Sequence, residues 1–168
     1  VSTAKKKKLP VSPLAPAAFP ALPVIAGAEF AVTEAGVCYK GRTDVMLVRL
    51  APGTSIAGAF TKSSTRAASV LDCQAKLAGP IAQEAGAAII VNSGNANAFT
   101  GRSGQDAVDS VTGGVATALD LPASRVFSSS TGVIGEPLPH DRITAALDDL
   151  KSALSADGIA DAARAIMT

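Results

Sequence analysis

Apolar and polar positions change period several times along this chain, and each change marks an element. From Val24 onward, short β-prone runs follow one another: Val24-Ile25-Ala26, Phe30-Ala31-Val32, Val45 to Leu50 and Ile56 to Phe60. Glu34-Ala35-Gly36 and Ala51-Pro52-Gly53 between them are turn-like, and the last two runs, joined through Pro52-Gly53, predict an antiparallel hairpin. Ala67 to about Ala78 reads as a short helix stopped by Gly79-Pro80, with Ile81 to Glu84 a brief turn after it. A further helix follows Thr100, with Ser103 as its cap and Asp106 three residues on. Its apolar stripe is Ala107, Val108, Val111, Val115, Ala118 and Leu119, and Pro122 ends it. Gly113-Gly114 inside this helix costs about 1 kcal/mol per glycine relative to alanine, which predicts a close helix-to-sheet approach there. Pro139 opens another helix, with Ile143, Ala146, Leu147, Leu150 and Leu154 inward, and Asp157-Gly158 breaks it. Ile159, Ala162, Ala163 and Ile166 form a last amphipathic turn or two.

Two stretches stand out from this alternation. The apolar run Ala87 to Val91 passes directly into Asn92-Ser93-Gly94-Asn95-Ala96-Asn97, which reads as a buried strand delivering a polar loop. Arg125 to Ser129 forms a second strand that runs into Ser130-Thr131-Gly132-Val133-Ile134-Gly135. Two strand exits crowded with hydroxyls, amides and glycines predict one polar site at the end of a sheet. Strands first and strand–helix alternation afterwards place the chain in the α/β class, as an α+β layered domain. No internal repeat is visible.

Residues 1–23 carry Pro10, Pro13, Pro16, Pro20 and Pro23 and are expected to form an extended arm, leaving residues 24–168 as one domain. At 168 residues and 48% hydrophobic content the chain can bury a sizeable core, and with 4% aromatics the packing falls to Ala, Val, Leu and Ile. Four of fifteen basic residues sit in Lys5 to Lys8, which leaves eleven against fourteen acids, a net of −3 on the body. The Lys run reads as a solvated tail, and no basic face interleaved with aromatics argues for nucleic acid. No apolar run reaches membrane-span length, so no membrane partner is expected and the compartment is read as cytoplasmic. Cys38 and Cys73 lie far apart and a single histidine, His140, cannot complete a zinc set, so no metal or cofactor is expected. Both thiols read as free, small core residues, His140 as a surface residue, and Asp148, Asp149 and Asp157 as solvated helix surface.

A hydroxyl beside a glycine at a strand exit can present an O–H and a backbone N–H to one point. That is the construction of an oxyanion hole, worth about 3 to 4 kcal/mol per donor in acyl transfer. Ser129 to Gly135 offers such a pair. Neither GxxxxGK[ST] nor GxGxxG is present, which argues against a nucleotide site, and no serine or cysteine has the setting of a nucleophile. The residues thus supply donors for acyl transfer without an attacking group.

Three segments, Val91 to Gly101, Ser129 to Gly135 and Ala165-Ile166-Met167-Thr168, closely resemble the α chain of the ornithine acetyltransferases, also called glutamate N-acetyltransferases. Gly41-Arg42-Thr43-Asp44 and Ala57 to Thr61 fit the same family, and the resemblance covers Ser12 to Thr168. It implies an architecture like that of N-terminal-nucleophile enzymes, shared with a β chain cut from the same precursor. The β chain's new N-terminal threonine would take the acetyl group from N2-acetylornithine and pass it to glutamate, in an α2β2 heterotetramer serving arginine biosynthesis. Acetyl-CoA is an alternative donor. Thr131 and Gly132 match the family's oxyanion pair and Thr168 a substrate contact; Asn92, Ser93, Asn95 and Asn97 are weighed evenly between substrate contact and structural turn. The family pattern continues past Thr168 with a substrate-binding lysine and the scissile bond, so this chain is expected to act only with its partner. A related N-terminal-nucleophile aminopeptidase and a non-catalytic scaffold of the same fold are the competing readings.

Overall fold

The computed structural model describes residues 12–15, 17, 18, 20–80, 82 and 84–167. The expected Lys run and Thr168 lie outside these residues, as does most of the proline arm; the described part of the arm, up to Pro23, is exposed and holds neither helix nor strand.

Four strands form one mixed sheet in chain order: β1 (Ala28–Thr33), β2 (Val45–Leu50), β3 (Ala87–Asn95) and β4 (Val126–Val133). The first two junctions are antiparallel, with Ala31 opposite Leu47 and Leu47 opposite Ile90, and β3 and β4 are parallel, with Ile90 opposite Ser128. A parallel pair needs a crossover, which α2 (Gly101–Leu119) supplies. Because side chains alternate along a strand, Ala31, Val45, Leu47, Ala88, Ile90 and Val126 share one face. They pack with Ala107, Val111, Val115 and Ala116 of α2 and with α3 (His140–Ala145) and α4 (Leu147–Ser152) through Ile143, Leu147 and Leu150. This is the α+β layering expected from the order of elements.

The helix α1 (Ala68–Ala78) flanks β4, which has no strand on its far side among the described residues. An edge strand presents unpaired carbonyls, and α1 answers two of them: Lys76 Nζ donates to the Val126 carbonyl at 2.8 Å and Cys73 Sγ to that of Ser128 at 3.4 Å. Arg125, 2% exposed in the single helical turn before β4, donates to the carbonyls of Thr54, Ala85 and Gly86 and so ties three segments together. The last helix, α5 (Ile159–Ala165), lies against β1 and β2, and Ser155 just before it bridges the outer edge of β1 at Phe30.

Several local expectations are corrected. The hairpin through Pro52-Gly53 does not form: β1 and β3 already occupy both edges of β2, so Ile56 to Phe60 has nothing to pair with and runs as irregular chain. Val24 and Ile25 lie exposed before β1 instead of forming a strand. Helix α2 starts at Gly101, and Ser103 Oγ donates to the Thr100 carbonyl within the first turn instead of capping the helix. A Cβ on Gly114 would meet Leu147 Cδ1 at 2.8 Å, so this glycine admits a neighbouring helix and not the sheet, while Gly113 faces open space. The helix expected from Pro139 bends at Ala146 into α3 and α4. Its apolar positions continue in phase across the bend, which periodicity therefore does not register.

Candidate active site at the shared end of β3 and β4

The stretch expected to be a loop after Val91 is strand as far as Asn95, and β4 likewise extends to Val133. Each of the two motifs is thus the terminal part of a strand, and parallel pairing brings them together: Ser93 stands opposite Thr131 and Gly94 opposite Gly132. Asn95 then faces both Thr131 and Val133, an irregularity that ends the regular ladder. Two glycines make this approach feasible. Gly132 has φ +135°, and a Cβ there would lie 2.3 Å from the Gly94 carbonyl carbon and 2.6 Å from the Asn95 nitrogen. Gly94 has φ +95°, and its Cβ would meet that of Cys38 at 2.8 Å.

The Asn side chains are buried and bonded within the chain. Asn92 donates to the Asn95 carbonyl at 2.8 Å and accepts from Ser130 Oγ at 2.6 Å. Asn95 donates to the Glu136 carbonyl and accepts from the Asn97 N–H. Asn97 donates to the Gly104 carbonyl and accepts from Thr100 Oγ1, which links the strand end to the start of α2. These amides tie the end of β3 to Ser130, to the Glu136 carbonyl and to the first turn of α2.

A pocket of about 340 Å³ lies between the starts of α1 and α2, and one of about 610 Å³ at the opposite end of the sheet near Leu50 and Gly86, but neither touches the two motifs. At the motifs themselves a pocket of about 240 Å³ is lined by Tyr39, Arg42, Gly94, Gly132 and Val133. Gly132 is exposed on its floor; Thr131, half-buried, stands one residue back in the strand beside Ser93. Among the described residues no hydrogen bond engages the Thr131 hydroxyl. Tyr39 and Arg42 come from the loop between β1 and β2. That loop is folded by Asp44, 3% exposed, whose carboxylate accepts the N–H groups of Ala35 at 2.8 Å and Val37 at 2.6 Å. The end of α5 arrives at the same place, where Ser93 Oγ donates to the Ala165 carbonyl at 2.8 Å and Arg42 to the Met167 carbonyl.

The sequence motifs singled out Thr131, Gly132 and Ser93 but gave no role to Tyr39, Arg42 or Asp44. Of these Arg42 and Asp44 left a trace, the Gly41-Arg42-Thr43-Asp44 segment that fits the family, directly before an apolar strand. The thiols separate: Cys73 is buried and Cys38 exposed, the latter correcting the expectation of a core residue. Cys38 sits on the outer loop, over Gly94, where it is not enclosed. Burial pushes the Cys73 thiol up from its ordinary 9.0; the Asp72 carboxylate adds to the shift and Lys76 works against it. His140, half-buried at the start of α3, hydrogen-bonds no hydroxyl or thiol among the described residues. No group of three His, Cys, Asp or Glu among the described residues could hold a metal ion, and no helix is long and apolar enough to cross a membrane. The site therefore offers O–H and N–H donors and a guanidinium around a glycine floor.

The arginine biosynthesis bifunctional protein ArgJ of Ruegeria pomeroyi is 64% identical over 158 residues, which cover 94% of this chain and 38% of that protein. The protein of the same name from Gluconobacter oxydans is 49% identical over 167 residues, again 38% of its length. The chain thus spans well under half the length of these relatives. Among solved structures, ornithine acetyltransferase from Mycobacterium tuberculosis, complexed with ornithine, superposes with a TM-score of 0.78 at 35% identity, covering 85% of this chain and 76% of that one. The ArgJ protein of Bacillus halodurans gives 0.74 at 30% identity, covering 85% and 73%. The family model described as the ArgJ family matches residues 29–168, which takes in all of the sheet but its first residue, Ala28, and every residue of the pocket, and the chain belongs to that family.

Proposed function

We propose that this chain is the α part of an acetyltransferase of arginine biosynthesis, which moves the acetyl group of N2-acetylornithine to glutamate, with acetyl-CoA as an alternative donor. One observation carries the reading: Gly94 and Gly132 line one pocket, the Thr131 hydroxyl stands next to Gly132 in the strand, and the chain at the end of α5 is hydrogen-bonded to Ser93 and to the pocket residue Arg42. Its support from relatives is that proteins of this family are named for arginine biosynthesis and that one similar enzyme was solved with ornithine.

In this reading the nucleophile is the N-terminal threonine of a β chain derived from the same precursor, and two α and two β chains work together in the cytoplasm. The α-amine of that threonine, with a pKa of about 8, takes the proton of its own hydroxyl, so no histidine is required. The oxygen attacks the acetyl carbonyl, and the O⁻ that develops accepts hydrogen bonds from the Thr131 hydroxyl and the Gly132 N–H. Collapse expels ornithine, whose amine nitrogen takes up the proton. The amine of glutamate then attacks the acetyl-threonine ester, and the threonine oxygen recovers a proton as N-acetylglutamate leaves. Thr131 and Gly132 form the oxyanion hole, Thr168 touches the substrate, and the buried amides of Asn92, Asn95 and Asn97 keep the two strand ends in register, with Ser93 holding α5.

The test begins with intact masses and N-terminal sequences of the polypeptides of the complete protein, followed by incubation with N-acetylornithine and glutamate. A second polypeptide that begins with threonine and gains one acetyl group, with N-acetylglutamate as product, is the expected result. Release of free acetate or amino acids without transfer would favour a hydrolase. An uncut, inactive protein would overturn the reading.

A further inference from the structure

We infer that Arg42 is a positioning residue which, together with Ser93, latches the end of α5 to the rim of the Gly94–Gly132 pocket. Its functional part rests on the acetyl-transfer reading; its geometric part does not.

A helix ends with carbonyls that lack partners inside it. Helix α5 is seven residues long; the carbonyl of its last residue, Ala165, is taken up from outside by Ser93 Oγ at 2.8 Å, and that of Met167, two residues beyond the helix, by Arg42. Arg42 Nη2 also reaches Ser93 Oγ, at 3.3 Å. Three segments distant in sequence, the β1–β2 loop, the end of β3 and the end of α5, are thereby joined through one guanidinium and one hydroxyl. Ser93 is fully buried, so a lost partner there is not replaced by water. Arginine suits the task because its planar fork directs several N–H groups at once, whereas a lysine ammonium is a point charge on a flexible stem. No salt bridge draws Arg42 elsewhere among the described residues. The Met167 carbonyl belongs to the peptide unit that leads into Thr168, so the latch determines where the chain beyond α5 starts relative to the pocket.

The experiment compares Arg42→Met, Arg42→Lys and Ser93→Ala with wild type in the complete protein. The latch predicts that Arg42→Met raises KM for both the acetyl donor and glutamate by about tenfold while kcat changes by less than about threefold, since the oxyanion donors stay in place. Arg42→Lys should recover part of the loss, and Ser93→Ala should fall between Lys and Met. Hydrogen exchange of the peptide covering residues 159–167 should rise in Arg42→Met and Ser93→Ala without a matching drop in Tm. Unchanged KM with unchanged exchange, or equal defects in Lys and Met accompanied by a lower Tm, overturns the inference. If Arg42→Met fails to fold, Ser93→Ala and Arg42→Lys carry both readouts. If wild type transfers no acetyl group, the functional reading fails and takes the role in transfer with it, while hydrogen exchange still decides whether the latch exists.

Discussion

Gly132 stands so close to Gly94 that a Cβ on the first would lie 2.3 Å from the carbonyl carbon of the second. The neighbour is backbone of a central strand, which cannot move aside as a side-chain tip can. Gly132→Ala therefore meets both a clash and a φ of +135°, and Gly132→Val more of each. The expected outcome is a stability loss of about 2 to 4 kcal/mol for Ala and a larger one for Val. Urea denaturation of the complete protein measures it; a midpoint for Gly132→Ala equal to that of wild type would contradict the geometry.

At Gly94 the obstacle is different, being the Cβ of Cys38 on an outer loop. Gly94→Ala should cost less than Gly132→Ala, and combining it with Cys38→Gly should restore part of the loss. About 1 kcal/mol of backbone strain would remain at φ +95°. A double mutant no better than the single would show that Cys38 is not the contact that matters.

Thr131→Ala removes a hydroxyl that makes no hydrogen bond to the described chain, so folding should be nearly unaffected. If that hydroxyl stabilises the oxyanion, kcat for acetyl transfer falls roughly 10²-fold or more. Unchanged kcat/KM in a folded Thr131→Ala protein would remove Thr131 from the mechanism.

The carboxylate of Asp44 accepts two backbone N–H groups, one on each oxygen. Asp44→Ala leaves both without an acceptor, at about 1 to 3 kcal/mol each, while Asp44→Asn retains one acceptor oxygen. Denaturation midpoints should therefore fall in the order wild type, Asn, Ala. Because this loop carries Tyr39 and Arg42, the Ala variant should also weaken substrate binding. Equal stability of Asn and Ala would exclude the two-oxygen arrangement.

The two cysteines give a pH test. Cys73 has a raised pKa in the folded state, so above 9.0, the ordinary value, the unfolded chain sheds the thiol proton while the folded one retains it. The associated stability is fully present below 9.0 and is lost as pH rises through the folded value. A plot of Tm against pH should fall less steeply above that point in Cys73→Ala than in wild type. At neutral pH a maleimide should label exposed Cys38 rapidly and buried Cys73 only on unfolding. Equal labelling rates would refute the burial of Cys73.

Much of this was legible in the sequence because it depends on local alternation. The stripe Ala107, Val108, Val111 and Val115 defines the inner face of α2 wherever that helix lies, and the apolar run from Ala87 marks a buried strand. The order of elements foretold the layers, and the motifs around Gly94 and Gly132, read from the sequence as one polar cluster, adjoin one pocket. Pairing was not legible. Whether Ile56 to Phe60 becomes a strand depends on which edges of β2 are free, and the partners that fill them come from distant parts of the chain. The same holds at the site: strand status for Asn92 to Asn95 comes from the register with β4, and Arg42 meets Met167 across 125 residues. Residue type determines what a side chain can donate, accept or exclude, and periodicity determines which face it occupies. Which donor meets which acceptor was decided by tertiary packing alone, because long-range contacts form only where the sheet register and the helices that cover it bring separate segments together.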